Sequence, residues 1–136
     1  MRPPEEVLKA VVRQWLAKAA EDFKAAETLL DSKPPLLYPA CFHAQQAAEK
    51  FIKAILTRHQ IEFPKTHSIR QLLDLAAPAQ PDLTHDLKDA VMLTPYGVDI
   101  RYPGDAPEPN IQEAKQAVAL ARKVRDAVMK NLEAII

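Results

Sequence analysis

Five side chains of this chain stand out as candidates to hold an anion. Lys50 and Lys53 repeat with Gln46 at steps of four and three, so on a helix the three share one long polar stripe. His67 closes the segment Pro64-Lys65-Thr66-His67, and Arg101 and Tyr102 stand together before Pro103. An arginine can grip a phosphate with two parallel hydrogen bonds, and a tyrosine can stack on a base. The lysines would add charge without bidentate geometry. Folded into one cleft, Lys50, Lys53, His67, Arg101 and Tyr102 would bind a nucleotide or another anionic ligand. The simpler alternative leaves Lys50 and Lys53 in water and pairs Arg101 with Asp99 or Asp105, pinning a loop.

Other chemistries find little support. His43, His59, His67 and His85 fall in neither a Glu-x-x-His nor a His-x3-His pattern, so no metal site is expected. The only glycines are Gly97 and Gly104, which leaves no phosphate-cradling glycine loop, and no cofactor is expected. Cys41 is the single cysteine and lies among apolar residues, where a small buried hydrophobe is expected rather than a nucleophile. The 18 basic and 18 acidic residues give a net charge of zero, which argues against a strongly basic nucleic-acid binder. Lys115, Arg122, Lys123, Arg125 and Lys130 are interspersed with Glu113, Asp126 and Glu133, as on a solvated helix face. Contact with an RNA backbone is the sharper alternative for that face.

The elements that must position these groups are helices. Apolar residues make up 48% of the 136 residues, enough for the core of one domain spanning 1–136 without disulfides. Pro3-Pro4-Glu5-Glu6 suits a helix start, and Val12, Leu16, Ala19, Phe23, Ala26 and Leu30 keep a helical rhythm up to Asp31-Ser32-Lys33-Pro34-Pro35. A second helix is predicted from Leu37 to His59, with Cys41, Ala44, Ala48, Phe51, Ile52 and Ile55 as its core stripe. Ser68 can cap a short third helix over 69–77, and Leu83, Leu87, Ala90 and Val91 phase a fourth over 83–93. Asn110 and Glu113 form a capping-box signal for a last helix running to the C-terminus. Phe23, Ala48, Phe51, Ile55 and Val118 are predicted to be buried. The fold class is all-α, an up-and-down four-helix bundle with an additional short helix. Pro95 to Pro109 reads as an irregular loop, and loops of that length in compact domains are commonly functional. No secretory segment opens the chain and no apolar run approaches the roughly 18 residues of a membrane span, so no membrane association and a cytoplasmic location are expected.

The run Ala44-Gln45-Gln46-Ala47-Ala48-Glu49-Lys50, then Thr66-His67, then Arg101-Tyr102-Pro103, resembles the HEPN domain family over about Ala17 to Ile135. The resemblance implies a HEPN-like four-helix core with an extra helix, and commonly a homodimer. Members are often encoded beside, or fused to, a minimal nucleotidyltransferase, and many such pairs look like toxin–antitoxin systems. A catalytic branch consists of metal-independent ribonucleases whose signature is Arg, four to six residues, then His. None of the four histidines here has an arginine in that window, and eight residues separate Arg58 from His67, too many for it. No catalytic residue is therefore assigned. The resulting expectation is a non-catalytic module that dimerises and binds a nucleotide or anion, partnered with a minimal nucleotidyltransferase. A ribonuclease toxin with noncanonical residues and a ligand-free oligomeric adaptor are the alternatives.

Overall fold

The computed structural model describes residues 4–98, 102–105 and 107–133. Arg101 therefore lies outside the described residues, as do Asp99 and Ile135. The chain forms α1 (Glu5–Asp31), α2 (Leu37–Arg58), α3 (Ile69–Ala76), α4 (Pro81–Asp86), a 3-10 helix (Lys88–Gly97) and α5 (Ile111–Glu133). Among the described residues there is no strand. None of these helices is long and apolar enough to cross a membrane.

The helix ends follow from local chemistry. Pro4 precedes α1, and Glu5 and Glu6 complement the positive end of its dipole. Ser32 closes it, its hydroxyl donating to the Leu29 carbonyl at 2.7 Å. Ser68 accepts the Gln71 N–H at the start of α3. Asn110 Oδ1 accepts from the Glu113 N–H at 2.8 Å while Glu113 Oε1 accepts from the Asn110 N–H at 3.0 Å, which is the full reciprocal capping box. At the end of α2, the Ile61 N–H reaches the Leu56 carbonyl and the Gln60 N–H reaches that of Thr57. That is a Schellman closure, and it places Gln60 in the left-handed region at φ 56°.

Helix α2 is the central element, packing along α1 and against α5, α3 and the 3-10 helix. Its alanines at 40, 44, 47, 48 and 54 are fully buried, which lets neighbouring backbones come close. Phe51, Ile52, Ile55 and Leu56 fill the space between them, and Phe23 and Val118 come in from α1 and α5. The five residues predicted to be buried are all in this core. Cys41 is there too, and burial, aided by the Glu113 charge, pushes its thiol up to about 11.

The fourth predicted helix is divided. α4 stops at Asp86, and Lys88–Gly97 winds as a 3-10 helix. Leu87, Ala90 and Leu93 are buried and Tyr96 is half-buried, a strict step of three residues. An α-helix would rotate such a row away from the core, whereas three residues per turn keep it on one face. This helix occupies the first part of what the sequence presents as an irregular loop.

Candidate functional site

The polar centre of the molecule is a column on α2. Gln45, Glu49 and Lys53 are spaced four apart and so stack on one face. The Glu49 side chain is only 4% exposed and that of Lys53 12%. Glu49 accepts from Lys53 Nζ at 2.7 Å, from Gln45 Nε2 at 2.9 Å, and lies 3.1 Å from His67 Nδ1. Burial alone would push the Glu49 carboxyl up, but the Lys53, His67 and Gln45 contacts outweigh it and hold the group below its ordinary range. The Lys53 ammonium also lies 5.6 Å from the ring centres of both Trp15 and Phe63. Those two rings meet edge-on at 6.0 Å.

Gln45 joins this column to the chain around it. Its Nε2 also donates to the His67 carbonyl at 3.3 Å, and its Oε1 accepts from Gln46 Nε2 at 2.6 Å. Gly97 closes over it: a Cβ at that position would stand 3.1 Å from Gln45 Cδ. This explains a glycine where φ is unremarkable. The Tyr38 hydroxyl donates to the carbonyl of Val98, which fastens the next residue to the start of α2.

Phe42, Gln46, His67 and Gly97 line a small cleft of about 100 Å³ beside this column. The imidazole of His67 is 66% exposed and is held from behind by Glu49. In the neutral tautomer that donates from Nδ1 to the carboxylate, Nε2 is an acceptor. Gln46 donates one hydrogen bond to Gln45, which leaves its amide oxygen for a ligand. An aromatic ring, an amide and a fixed imidazole suit a planar polar group better than a bare phosphate.

The sequence-selected residues are thus only partly brought together. Lys53 and His67 meet on Glu49. Lys50 turns to Asp22 of α1, which also holds His43 Nδ1 at 2.9 Å. Neither lysine stays in water: each is paired with a carboxylate, and neither contributes unbalanced charge. Tyr102 is 72% exposed, and its backbone N–H donates to Asp105 at 2.8 Å. Arg101 lies outside the described residues. Gln45, Glu49 and Asp22 are the residues that sequence reasoning missed. For the first two a signal existed, the Gln-x3-Glu-x3-Lys spacing, which places a carboxylate one turn before a lysine. Asp22 comes from another helix, and nothing local marks it.

Comparison with known proteins agrees with this architecture. The family model of the HEPN domain matches residues 12–132. The crystal structure of TT1696 from Thermus thermophilus is similar at a TM-score of 0.68 and 33% identity, over 88% of this chain and 96% of that one. ST0689, described as an archaeal HEPN homologue, has the same fold at a TM-score of 0.70 and 24% identity, over 89% of this chain and 97% of that one. No curated protein matches. On the family match over most of its length, the chain belongs to the HEPN domain family.

Proposed function

We propose that this protein is a non-catalytic HEPN binding module that acts as a homodimer and holds a nucleotide at the α2 cleft, in concert with a minimal nucleotidyltransferase. One observation carries the ligand assignment. The Phe42–Gln46–His67–Gly97 cleft is built on buried, mutually bonded side chains, so its polar groups are fixed before any ligand arrives. Val98, next to Gly97 at the edge of this cleft, is three residues before Arg101 in the sequence and is fastened to the start of α2 by the Tyr38 hydroxyl. In this reading Phe42 and His67 flank a base and Gln46 reads its edge. Arg101 takes a phosphate, and Tyr102 adds a stacking face or a hydrogen bond. Lys50 and Lys53 act at one remove, bracing Asp22 and Glu49.

Dimerisation is assigned to the outer face of α1. The α2 alanines are used up inside the protomer, whereas Val7, Ala10, Val11 and Ala17 are exposed. A shallow depression of about 220 Å³, lined by Val11, Gln14, Trp15 and Lys18, lies on the same face. The nucleotidyltransferase partner rests on the habit of the family, and a neighbouring gene for one would support it.

Calorimetry with nucleoside triphosphates tests the ligand. Wild type should bind. Gln46→Ala, His67→Ala and Arg101→Ala should each weaken binding by about tenfold to a hundredfold, the loss of a hydrogen bond to a charged or fixed group. Indifference to all three variants favours the ligand-free adaptor. Sedimentation should show twice the 15.2 kDa protomer mass at micromolar concentration. A monomer throughout would remove the dimer.

A second reading has one observation behind it. Glu49 orients His67 as a carboxylate orients a general base, and a base of that kind could take the proton of a ribose 2′-hydroxyl. RNA cleavage in the presence of chelator, lost in His67→Ala, would establish this reading over the non-catalytic one.

A further inference from the structure

A larger cleft lies elsewhere on the molecule, between α3, α4 and the 3-10 helix. Its volume is about 420 Å³, within the range of small-molecule sites of roughly 300–1,000 Å³, whereas the α2 cleft is well below that range. Its inner lining is Leu73 and Thr84, both buried, with half-buried Val91. The Thr84 hydroxyl is occupied by the Pro81 carbonyl at 3.1 Å, so this inner surface offers mainly apolar contact.

The exposed lining is charged. Arg70 comes from α3, His85 from α4 and Lys88 from the 3-10 helix, against one carboxylate, Asp74. None of the four makes an ion pair among the described residues. Arg70 and Asp74 are one helical turn apart and still do not pair. The cations around Glu49 and Asp22 are all bound to carboxylates. Here, cationic groups from three separate elements border one concavity and have no hydrogen-bond partner among the described residues.

We infer that this cleft is a binding site for a small phosphate monoester with a short apolar or planar body. The body would lie on Leu73 and Val91. The dianion would meet the Arg70 guanidinium, whose fork matches two phosphate oxygens, and the Lys88 ammonium as a point charge. His85 would supply a ring N–H. Asp74 opposes the anion and limits affinity. The site stands independently of the nucleotide assignment at the α2 cleft, with which it shares no residue.

Phenyl phosphate, inorganic phosphate and phenol separate the contributions of head and body. Amide resonances of the full chain, followed during titration, report where each binds. Phenyl phosphate should shift amides of residues 70–91 saturably, at least tenfold more tightly than inorganic phosphate or phenol. Arg70→Ala and Lys88→Ala should each weaken it about tenfold or more without lowering the melting temperature, and Arg70→Lys should recover only part of the loss. Asp74→Asn should tighten binding severalfold. Gln46→Ala and His67→Ala should leave it unchanged, so failure here and failure of the α2 assignment read out differently. Non-saturating shifts spread over surface lysines would overturn the inference. So would affinity for phenyl phosphate equal to that for phosphate, or binding that survives the Arg70→Ala/Lys88→Ala double variant.

Discussion

The α2 column and the α3–α4 cleft use the same residue types to opposite ends. In the column, Lys53, His67 and Gln45 converge on a buried carboxylate, and every strong donor has an acceptor within the protein. In the cleft, Arg70, His85 and Lys88 border a concavity and pair with nothing among the described residues. Charge in the column holds helices together and fixes the neighbouring cleft. Charge in the α3–α4 cleft is exposed, costs little to keep hydrated, and remains available to a partner from solution. A lysine stripe seen in sequence does not distinguish these two uses, because the distinction lies in what the opposing element supplies.

The largest expected effect comes from breaking the column. Lys53→Met keeps an unbranched side chain of similar length near Trp15 and Phe63 but leaves Glu49 without its ammonium partner. Removing one member of a buried pair costs about 3–5 kcal/mol, and the remaining Gln45 and His67 contacts place this variant near the lower end. Adding Glu49→Gln should restore much of the loss, since the uncompensated charge is then gone. Urea unfolding of the two singles and the double measures this coupling. Additive losses would mean that the pair is not a unit.

Acid should weaken the column next. The Glu49 carboxyl is held below its ordinary value of 4.5 in the folded state, so between the folded and unfolded values the unfolded chain binds more protons. Its contribution is complete above the unfolded value and is lost as pH falls below about 4.5 through the folded value. His59 acts in the same direction at higher pH. Burial, aided by the Arg58 charge, lowers it from 6.5, so stability rises with pH through that region. Unfolding followed between pH 3 and pH 8 should show both limbs, and Glu49→Gln should flatten only the lower one.

Much of the architecture was legible in the sequence. The α1 and α2 stripes, the Ser68 cap and the Asn110–Glu113 box are local patterns, and each formed where its residues said it would. The 3-10 helix was missed because Leu87, Ala90 and Leu93 also fit part of an α-helical face, and their period of three is decisive only when Tyr96 is included. Gln60 took the left-handed position usual for glycine, so composition gave no sign of that closure. Lys50 and Lys53 were found as polar and helical, but their partners were not: Asp22 is 28 residues from Lys50. Arg70, His85 and Lys88 carry no motif at all, and only the packing of three short elements makes them neighbours.

A smaller effect is expected at Gly97. Alanine there places a methyl group against the Gln45 side chain at about the 3.1 Å separation given by the backbone. Gln45 is fully buried and bonded to Glu49, Gln46 and the His67 carbonyl, so it has few ways to yield. Overpacking of this kind costs about 1–3 kcal/mol. Gly97→Ala should therefore lower the unfolding midpoint and move the Gln46 and His67 amide resonances together. A variant with wild-type midpoint and unmoved resonances would show that the cleft is not built on Gln45.

The smallest effect is the most discriminating. If Arg70 and Lys88 are free of structural duties, replacing them by alanine should change stability by no more than about 0.5 kcal/mol, the usual range for surface sites without special contacts. Alanine is a good helix former, so Arg70→Ala in α3 loses little propensity, and no ion pair among the described residues is broken at either position. Electrostatics favours the variants, because removing one of two neighbouring cations relieves repulsion across the cleft. At low salt that relief should be larger than at about 0.15 M, where charges beyond about 8 Å are screened. Paired unfolding curves at the two ionic strengths decide it. A loss of about 1 kcal/mol or more in either variant, outside the range of a plain surface site, would show that these cations support the fold as Lys53 does. The division between the two regions would then disappear.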